Sequence, residues 1–414
     1  MPPKHIVLSE QHSILKRDIN PNAIAVVTRL LKAGYEAYLV GGCVRDLLIN
    51  ISPKDFDVAT NATPQQVKKL FRHARIIGRR FKLIHIPYHR EIIEVATFRA
   101  HEPVHSKVQT NERGMVIEDN VYGTLEQDAW RRDFSINSLY YHIEENSIVD
   151  FTSGFQDIQD RLIRIIGDPI KRYQEDPVRM LRAVRFSAKL KFTIEPKTAG
   201  PLNHMSHLIA HVSSSRLFDE MIKLYQCGSA VDVQPLLEQY GLFQPLFPQT
   251  AALFQRYPAQ QFLMLALEST DNRIKANKTV NPAFLFAVIL WFPMQARAKQ
   301  LRDAGVDPLP AIDQAISYIF SEQNKIIMIP KRHTQVIRDI WSLQSRFVKR
   351  SKHRAQLLIQ HPKFRAAYDF LVLRALAKDA SIELAEWWTN YQETHEQTQE
   401  NMRSTNDLQP PLHE

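Results

Sequence analysis

The first half of the chain combines short apolar runs with amphipathic helical patterns. Pro21 suits the first turn of a helix and Gly34 can end one, so the spacing predicts a helix over 21–32. Gly41-Gly42 follows a short apolar run and leads into a second predicted helix. Strands are predicted over 35–40, 54–60, 75–78, 82–87 and 91–98.

Thr63 and Thr124 each precede a helical pattern and are predicted to cap the helix that follows. The polar stretch 101–120 predicts a mobile loop. After residues 167–169 the pattern turns helical and stays so to about residue 390, with few strand signals. The predicted fold class is therefore α+β, with an N-terminal mixed β-sheet followed by an all-α region.

The composition is that of a folded protein of two or three domains. The chain has 414 residues, of which 44% are hydrophobic and 23% are charged. Its two cysteines exclude a disulfide framework and a cysteine-based zinc or iron–sulfur site. The longest apolar run, 284–292, is too short for a bilayer, and the N-terminus lacks a signal-peptide pattern. We therefore expect a cytoplasmic protein.

The predicted segments are a flexible lead-in (1–18), a head (19–150), a helical neck and body (151–270), a basic helical region (271–390) and a disordered tail (391–414).

The positive charge is regional. The net charge is +9, and the segment 325–365 carries +10 of it, so the rest of the chain sums to −1. Aromatic residues are interleaved with these cations, a pattern typical of polyanion binding. Solvated helix faces or an anionic membrane surface are the alternatives. The candidate contacts are Lys331, Arg332, Arg346, Lys349, Arg350, Lys352 and Arg354.

Two carboxylates carry the strongest chemical signal. Asp55 and Asp57 are two residues apart on a predicted strand, so their side chains share a face. Close carboxylates repel unless a cation lies between them, and oxygen ligands suit Mg²⁺. Two such ions could bind the attacking and leaving oxygens of a phosphoryl-type displacement. Gly41-Gly42, placed between a strand and a helix, lets backbone N–H groups approach a triphosphate.

This order of motifs resembles the polymerase β-like nucleotidyltransferases. LVGGCVRDLL and KDFDVAT resemble their class II branch, which contains the tRNA-CCA-adding enzymes and the poly(A) polymerases. The resemblance continues through EIIEVATFR, RRDFSINSLYY and EDPVRMLRAVRF. IIGRRFKLIHI, NPAFLFA and HPKFRAAYDFL are similar to the bacterial poly(A) polymerases of type I. The chain departs from the family at its mildly acidic tail, at Ser135 in place of Thr, and at Asn50 in place of Gly, where Asn tolerates the left-handed turn.

The resemblance implies template-independent addition of AMP from ATP to RNA 3′ ends, with release of pyrophosphate and two Mg²⁺ ions as cofactors. A CCA-adding tRNA nucleotidyltransferase is the alternative, and a non-catalytic RNA-binding scaffold of the same fold is the third hypothesis. The expected partners are ATP and the 3′ ends of mRNA or regulatory RNA. The sequence identifies no protein partner among RNA-degradation or RNA-chaperone factors.

The resemblance also implies roles for individual residues. Asp55 and Asp57 are the expected metal ligands, and Asp133 is an expected catalytic residue. Either Glu94 or Asp133 could supply the third carboxylate of the site, and Glu94 is the expected third metal ligand. The segment that begins at Asp176 is expected to read the incoming base. The expected nucleotide contacts are Gly41, Gly42, Arg45, Asp46, Arg132, Asn137, Asp176, Arg179 and Arg182.

Overall fold

The computed structural model describes residues 4–78, 82–89, 91–100, 109–110, 116–118, 121–254 and 258–406. Most of the predicted loop over 101–120 and the last eight residues of the predicted tail lie outside these ranges. The chain forms two compact units, residues 1–209 and 210–414.

The first unit contains the strands. They are β1 (His5–Val7), β2 (Ala37–Val40), β3 (Asp57–Thr60), β4 (Arg75–Ile77), β5 (Leu83–Tyr88), β6 (Glu91–Thr97), β7 (Gln109–Thr110), β8 (Val116–Glu118), β9 (Leu139–His142), β10 (Ser147–Asp150), β11 (Leu162–Ile163) and β12 (Thr193–Ile194). Its helices are α1 (Pro21–Lys32), α2 (Gly42–Leu48), α3 (Pro64–Leu70), α4 (Leu125–Arg131), α5 (Gly154–Gln159), α6 (Pro169–Glu175), α7 (Val178–Leu190), α8 (Pro196–Ala199) and α9 (Leu202–Met205).

Eight of these strands form one mixed sheet in the order β1-β10-β9-β2-β3-β6-β5-β4. Every neighbouring pair in it is antiparallel except β3 and β6, which are parallel. The predicted mixed sheet is thus confirmed. The predicted flexible lead-in 1–18 is wrong at β1, which pairs with β10 at the edge of this sheet and buries Val7. The predicted strand 54–60 begins only at Asp57, because its partner β2 ends at Val40, opposite Asp57, where the chain turns at Gly41. Asp55 therefore precedes the strand.

Local signals position the helices as the sequence predicts. Helix α1 is capped by the Asn20 side chain, which accepts from the Asn22 N–H. It buries an i, i+3, i+4, i+7 stripe that consists of Ala23, Val26, Val27 and Leu30. Thr63 and Thr124 form capping boxes at the starts of α3 and α4. Asn50 has φ +57°, so the predicted left-handed turn after α2 is confirmed.

The described part of the second unit is helical. Its helices are α10 (Ser214–Tyr225), α11 (Ala230–Gln239), α12 (Phe243–Leu246), α13 (Pro248–Phe254), α14 (Ala259–Lys275), α15 (Pro282–Ile289), α16 (Trp291–Asp303), α17 (Pro308–Ile326), α18 (Lys331–Phe347), α19 (Lys352–Ile359), α20 (Phe364–Leu376) and α21 (Ile382–Asn406). No helix in the described residues is both long and apolar enough to cross a membrane.

The two units separate at Ile209, which differs from the predicted boundaries at 150 and 270. On one side, Phe134 pairs with Ile165 in an isolated bridge, so the segment after 150 packs with the head. On the other side, Phe262 of α14 packs edge-on against Phe370 of α20 with ring centroids 5.1 Å apart. Residues before and after 270 therefore share a core.

Helix α21 runs through Asn406, and so extends over part of the segment predicted to be disordered. Trp388 anchors its first turns, because its fully buried indole donates to the Phe347 carbonyl at 3.0 Å. Tyr391 stacks on Trp387 with ring centroids 5.1 Å apart. These aromatic contacts supply the burial that a polar segment lacks by itself.

We predict that Gly154→Ala destabilises the first unit. A Cβ at this position would overlap the Ser135 carbonyl group, and either backbone segment would have to shift. Overpacking of this kind costs about 1–3 kcal/mol, which chemical denaturation can measure.

Gly200→Ala is the matched control. A Cβ there would lie 3.4 Å from the Pro196 carbonyl oxygen, an ordinary contact, and the backbone at Gly200 is already helical. We expect its stability to be unchanged or slightly raised. Equal stability of the two variants would contradict the prediction.

Candidate functional site

The site is built around Asp57, the first residue of β3. In the sheet register Asp57 pairs with Glu94 on the parallel strand β6, so the two carboxylates share one face. Asp55 precedes it, outside the strand, and is exposed. Burial raises the pKa of Asp57 to about 6, and the negative charges of Glu94 and Asp55 add to this effect while Arg132 opposes it. The structure therefore places Glu94 opposite Asp57, and the charge of Asp55 acts on the same carboxylate.

The chemistry of this donor set fits a hard divalent cation. The described residues contain no complete cage of three His, Cys, Asp or Glu side chains. Mg²⁺ does not require one, because it retains waters and takes substrate phosphate oxygens beside one or two carboxylates. Asp55, Asp57 and Glu94 repel one another, and Asp57 is half-buried. Such a row of carboxylates suits a Mg²⁺ ion that keeps some of its waters.

Glu94 has a second neighbour in the sheet. His85 of β5 lies directly opposite it, with the His85 Nε2 3.1 Å from the Glu94 Oε1. No local sequence pattern indicates this contact of His85, because it depends on the register between β5 and β6.

Asp133 is engaged by partners outside this row. Its carboxylate accepts from the Phe134 N–H at 2.8 Å, from Asn137 Nδ2 at 3.2 Å and from Arg182 Nε at 2.6 Å. Burial alone would raise the pKa of Asp133, but the Arg182 guanidinium and these hydrogen bonds lower it to about 2. Of the two candidates for the third carboxylate, the structure therefore places Glu94, not Asp133, beside Asp57.

The Gly41-Gly42 turn lies against two guanidinium groups. Gly41 has φ +81°, a conformation that side-chain-bearing residues rarely adopt. A Cβ on Gly41 would lie 3.4 Å from Arg132 Nη1, and one on Gly42 would lie 3.5 Å from Arg45 Nη2. Both guanidinium groups therefore border this turn at the start of α2, which suits an anionic ligand.

Arg45, Asp46 and Asn137 form one buried network. Arg45 donates to Asp46 Oδ1 through Nε at 2.8 Å and Nη2 at 2.6 Å, and to Asn137 Oδ1 at 2.5 Å. Asn137 in turn donates to Asp133. In this arrangement Asp46 orients Arg45 and is itself 8% exposed, which agrees with a structural role.

Asp128 is a site residue that sequence analysis missed. It is 2% exposed and accepts from Arg132 Nη2 at 3.0 Å, from Arg131 Nε at 2.9 Å and from the Tyr140 hydroxyl at 2.7 Å. It thereby fixes the Arg132 side chain beside Gly41. Its i, i+3 and i, i+4 spacing from the two arginines was the signal that could have identified it.

The predicted base-reading segment spans the junction between α6 and α7. Asp176 precedes α7, and its carboxylate accepts from the Val178 N–H at 3.3 Å. Arg179 Nη1 donates to Glu175 Oε2 at 3.0 Å and to the Arg172 carbonyl at 2.8 Å. The predicted arginine stripe is confirmed: Arg179, Arg182 and Arg185 are half-buried, while the opposite face is buried and consists of Met180, Leu181, Val184 and Ala188.

The predicted RNA-binding cations all lie on the surface of the second unit. They are Lys331, Arg332, Arg346, Lys349, Arg350, Lys352 and Arg354, each of them exposed. Arg346, Lys349 and Arg354 line one cleft together with Leu357 and Leu358.

The interleaved aromatic residues do not share this surface. Trp341, Phe347, Phe364 and Tyr368 are buried, because α18 and α20 use them to form the core of the unit. The cations and the aromatic residues, which are neighbours in the sequence, therefore lie on different sides of this part of the unit: the cations face outward and the aromatic residues face the core.

Three family descriptions match the chain. Residues 37–164 match the Poly A polymerase head domain, and residues 304–411 match the Polymerase A arginine-rich C-terminus. Residues 191–254 match a region described as "Probable RNA and SrmB- binding site of polymerase A". The head domain with its carboxylate row and Gly-Gly turn defines the class of the protein, a nucleotidyltransferase.

Relatives define the family within that class. Poly(A) polymerase I of Salmonella typhi and of Escherichia coli O157:H7 are each 46% identical over 98% of this chain and 89% of their own length. That of Haemophilus influenzae is 45% identical over 94% of this chain and 88% of its own. The chain belongs to the bacterial poly(A) polymerase I family, whose members are nucleotidyltransferases that add AMP to RNA. The predicted family and enzyme class are confirmed.

CCA-adding enzymes are more distant relatives. That of Lactobacillus helveticus is 36% identical over 59% of this chain and 60% of its own length. Among solved structures, the Bacillus stearothermophilus CCA-adding enzyme in complex with CTP has 26% identity and a TM-score of 0.50, and covers 92% of this chain and 100% of that one. The Thermotoga maritima CCA-adding enzyme complexed with tRNA has 19% identity and a TM-score of 0.60, over 90% and 82% of the two chains. These structures confirm the predicted fold.

The match at 191–254 identifies a segment to which sequence analysis assigned no RNA contact. The segment contains four Lys or Arg and five Asp or Glu residues, so its net charge is −1. A search for regional positive charge could not have found it.

We predict that Asp57 destabilises the metal-free protein above pH 6. Its raised pKa means that the folded state retains a proton over about pH 4–6 that the unfolded state has lost, so stability falls as the pH rises through this window. Asp57→Asn removes the charge and should unfold at a higher temperature than wild type at about pH 8 in a chelator. The advantage should vanish near pH 4, where both side chains are neutral.

Addition of a divalent cation at the higher pH separates this effect from general stabilisation. The cation should raise the unfolding temperature of wild type and leave that of Asp57→Asn nearly unchanged. If Asp57→Asn were less stable than wild type at every pH, the raised pKa of Asp57 would be contradicted.

Proposed function

We propose that the protein adds AMP from ATP to RNA 3′ ends without a template and releases pyrophosphate. The observation that carries the proposal is the 46% sequence identity with a poly(A) polymerase I over 98% of this chain. The match to a CCA-adding enzyme covers only 59% of it. The carboxylate row at Asp57 supports it, because the chemistry requires a cation-binding site beside a triphosphate site. We further propose mRNA or regulatory RNA as the substrate.

We propose that Asp55, Asp57 and Glu94 bind Mg²⁺, with two ions as the expected number. When bound, such ions lower the pKa of the RNA 3′-hydroxyl and neutralise charge that develops at the α-phosphate. The O–P bond to the RNA forms as the bond to pyrophosphate breaks, so no covalent enzyme intermediate is needed.

The other residues bind and orient the nucleotide. Arg45 and Arg132 border the Gly41-Gly42 turn and can donate to the triphosphate oxygens. Asn137 is held between Arg45 and Asp133, and we propose that it contacts the ribose. Asp133 holds Arg182 in position and is proposed to act through it.

The base is proposed to contact the segment from Asp176 to Arg182. Arg179 presents a guanidinium whose orientation is set by Glu175. Edge hydrogen bonds from such fixed groups discriminate bases strongly, because a wrong base leaves the buried donors and acceptors of the protein unpaired.

A nucleotide-selection assay tests the proposed reaction. With an oligo(A) primer and Mg²⁺, the protein should incorporate AMP in long runs and CMP poorly, and Asp57→Ala should abolish incorporation. A product that ends after C, C and A on a tRNA would identify a CCA-adding enzyme. A wild-type protein that binds RNA but incorporates no nucleotide would support the scaffold hypothesis.

We predict that the cleft lined by Arg346, Lys349 and Arg354 contributes affinity for RNA through phosphate contacts. The triple substitution to Gln should weaken binding of an oligo(A) at low salt and reduce the salt dependence of its binding constant, with a slope smaller by about 2 if all three groups contact phosphate.

The control removes three exposed cations outside that cleft, Lys275, Lys299 and Arg302. Both triple variants lose the same net charge, so long-range electrostatics change equally. Equal loss of affinity in the two would show that only net charge matters and would contradict a contact role for the cleft.

A further inference from the structure

Arg172 is a buried arginine that no sequence motif or matched family description singles out. It lies in α6, and its side chain is 5% exposed. Its Nη2 donates to the carbonyl oxygens of Arg131 and Arg132, each at 2.6 Å. These carbonyls belong to the last residue of α4 and to its C-cap. The guanidinium therefore satisfies the carbonyl end of the helix that presents Arg132.

The same residue contacts the predicted base-reading arginine by two routes. Arg172 Nη1 donates to Glu175 Oε2 at 2.8 Å, and this oxygen also accepts from Arg179 Nη1 at 3.0 Å. Arg179 Nη1 donates in addition to the Arg172 carbonyl at 2.8 Å. The partners that hold Arg179 are thus the backbone of Arg172 and a carboxylate oriented by its side chain.

The surroundings of the Arg172 guanidinium keep it charged and in one position. Burial and the nearby Arg179 lower the pKa of Arg172 to about 10, so it remains charged at neutral pH. Its Nε is buried without a hydrogen-bond partner, which is a cost that the four contacts of this residue must offset.

We infer that Arg172 is a positioning residue that couples the Arg132 segment, which contacts the triphosphate, to the Arg179 guanidinium, which reads the base. The inference rests on the proposed function, because it takes the roles of Arg132 and Arg179 from there. The side chain of Arg172 donates to Arg131, Arg132 and Glu175, none of which is a proposed metal ligand, so its role is indirect. It acts on specificity by fixing the distance and orientation between the two nucleotide-contacting groups.

The test is Arg172→Lys in the full-length chain. A lysine ammonium is a compact point charge and cannot reproduce the guanidinium contacts to two carbonyls and a carboxylate together. We expect the preference for ATP over CTP, measured as the ratio of their kcat/KM values on an oligo(A) primer, to fall by about tenfold. We expect the KM for ATP to rise, with a smaller change in kcat.

Arg164→Lys is the control for a purely structural role. Arg164 donates to Asp157 at 3.0 Å and pairs with Glu195, so its replacement also breaks ion pairs to two buried carboxylates in the first unit. Its unfolding temperature should fall, while the ATP-to-CTP ratio should remain that of wild type. A folded Arg172→Lys with the wild-type ratio would overturn the inference.

If Arg172→Lys does not fold, Glu175→Gln provides the same test, because it weakens the bridge to Arg179 and leaves the contacts to the two carbonyls. An unchanged ratio in that variant would also overturn the inference. Failure of the proposed function is distinguishable, because wild type itself would then add no AMP to the primer.

Discussion

The parallel pairing of β3 with β6 is the constraint on which the site depends. It places the carboxylates of Asp57 and Glu94 directly opposite each other on one face of an otherwise antiparallel sheet. Like charges in this position destabilise a sheet unless a cation lies between them. Burial and, to a smaller extent, this repulsion raise the pKa of Asp57 in the metal-free chain. The fold therefore maintains an unfavourable arrangement that a divalent cation can relieve, and the remaining functional groups are organised beside it.

Around this row, the arginines that would contact the nucleotide are oriented by acidic residues. Asp128 holds Arg132, Asp133 holds Arg182, and Glu175 holds Arg179. A guanidinium bound in this way is oriented before the substrate arrives, so little reorganisation is needed when charge develops at the phosphate. The pairing also balances charge in a partly buried region, because each cation that could bind an anion is matched by an acid behind it.

The two regions linked to RNA have different physical characters. The segment 325–365 presents exposed cations and buries its aromatic residues, so it suits contacts to phosphate more than stacking on bases. The segment 191–254, which matches the family description of an RNA-binding site, is close to neutral. Affinity that depends on salt is thus expected mainly from the first region.

Local signals in the sequence were sufficient for the helices, for the strands β2 to β6 and for the Gly41-Gly42 turn, and they selected Asp55 and Asp57 as candidates, because each depends on residues a few positions apart. The family followed from the order of these motifs. Only the tertiary structure decided that Glu94, not Asp133, lies beside Asp57, and that Arg172 joins α4 to Arg179. Those contacts join residues far apart along the chain. They depend on strand register and helix packing, which hydrophobic periodicity specifies for an element but not for its partner.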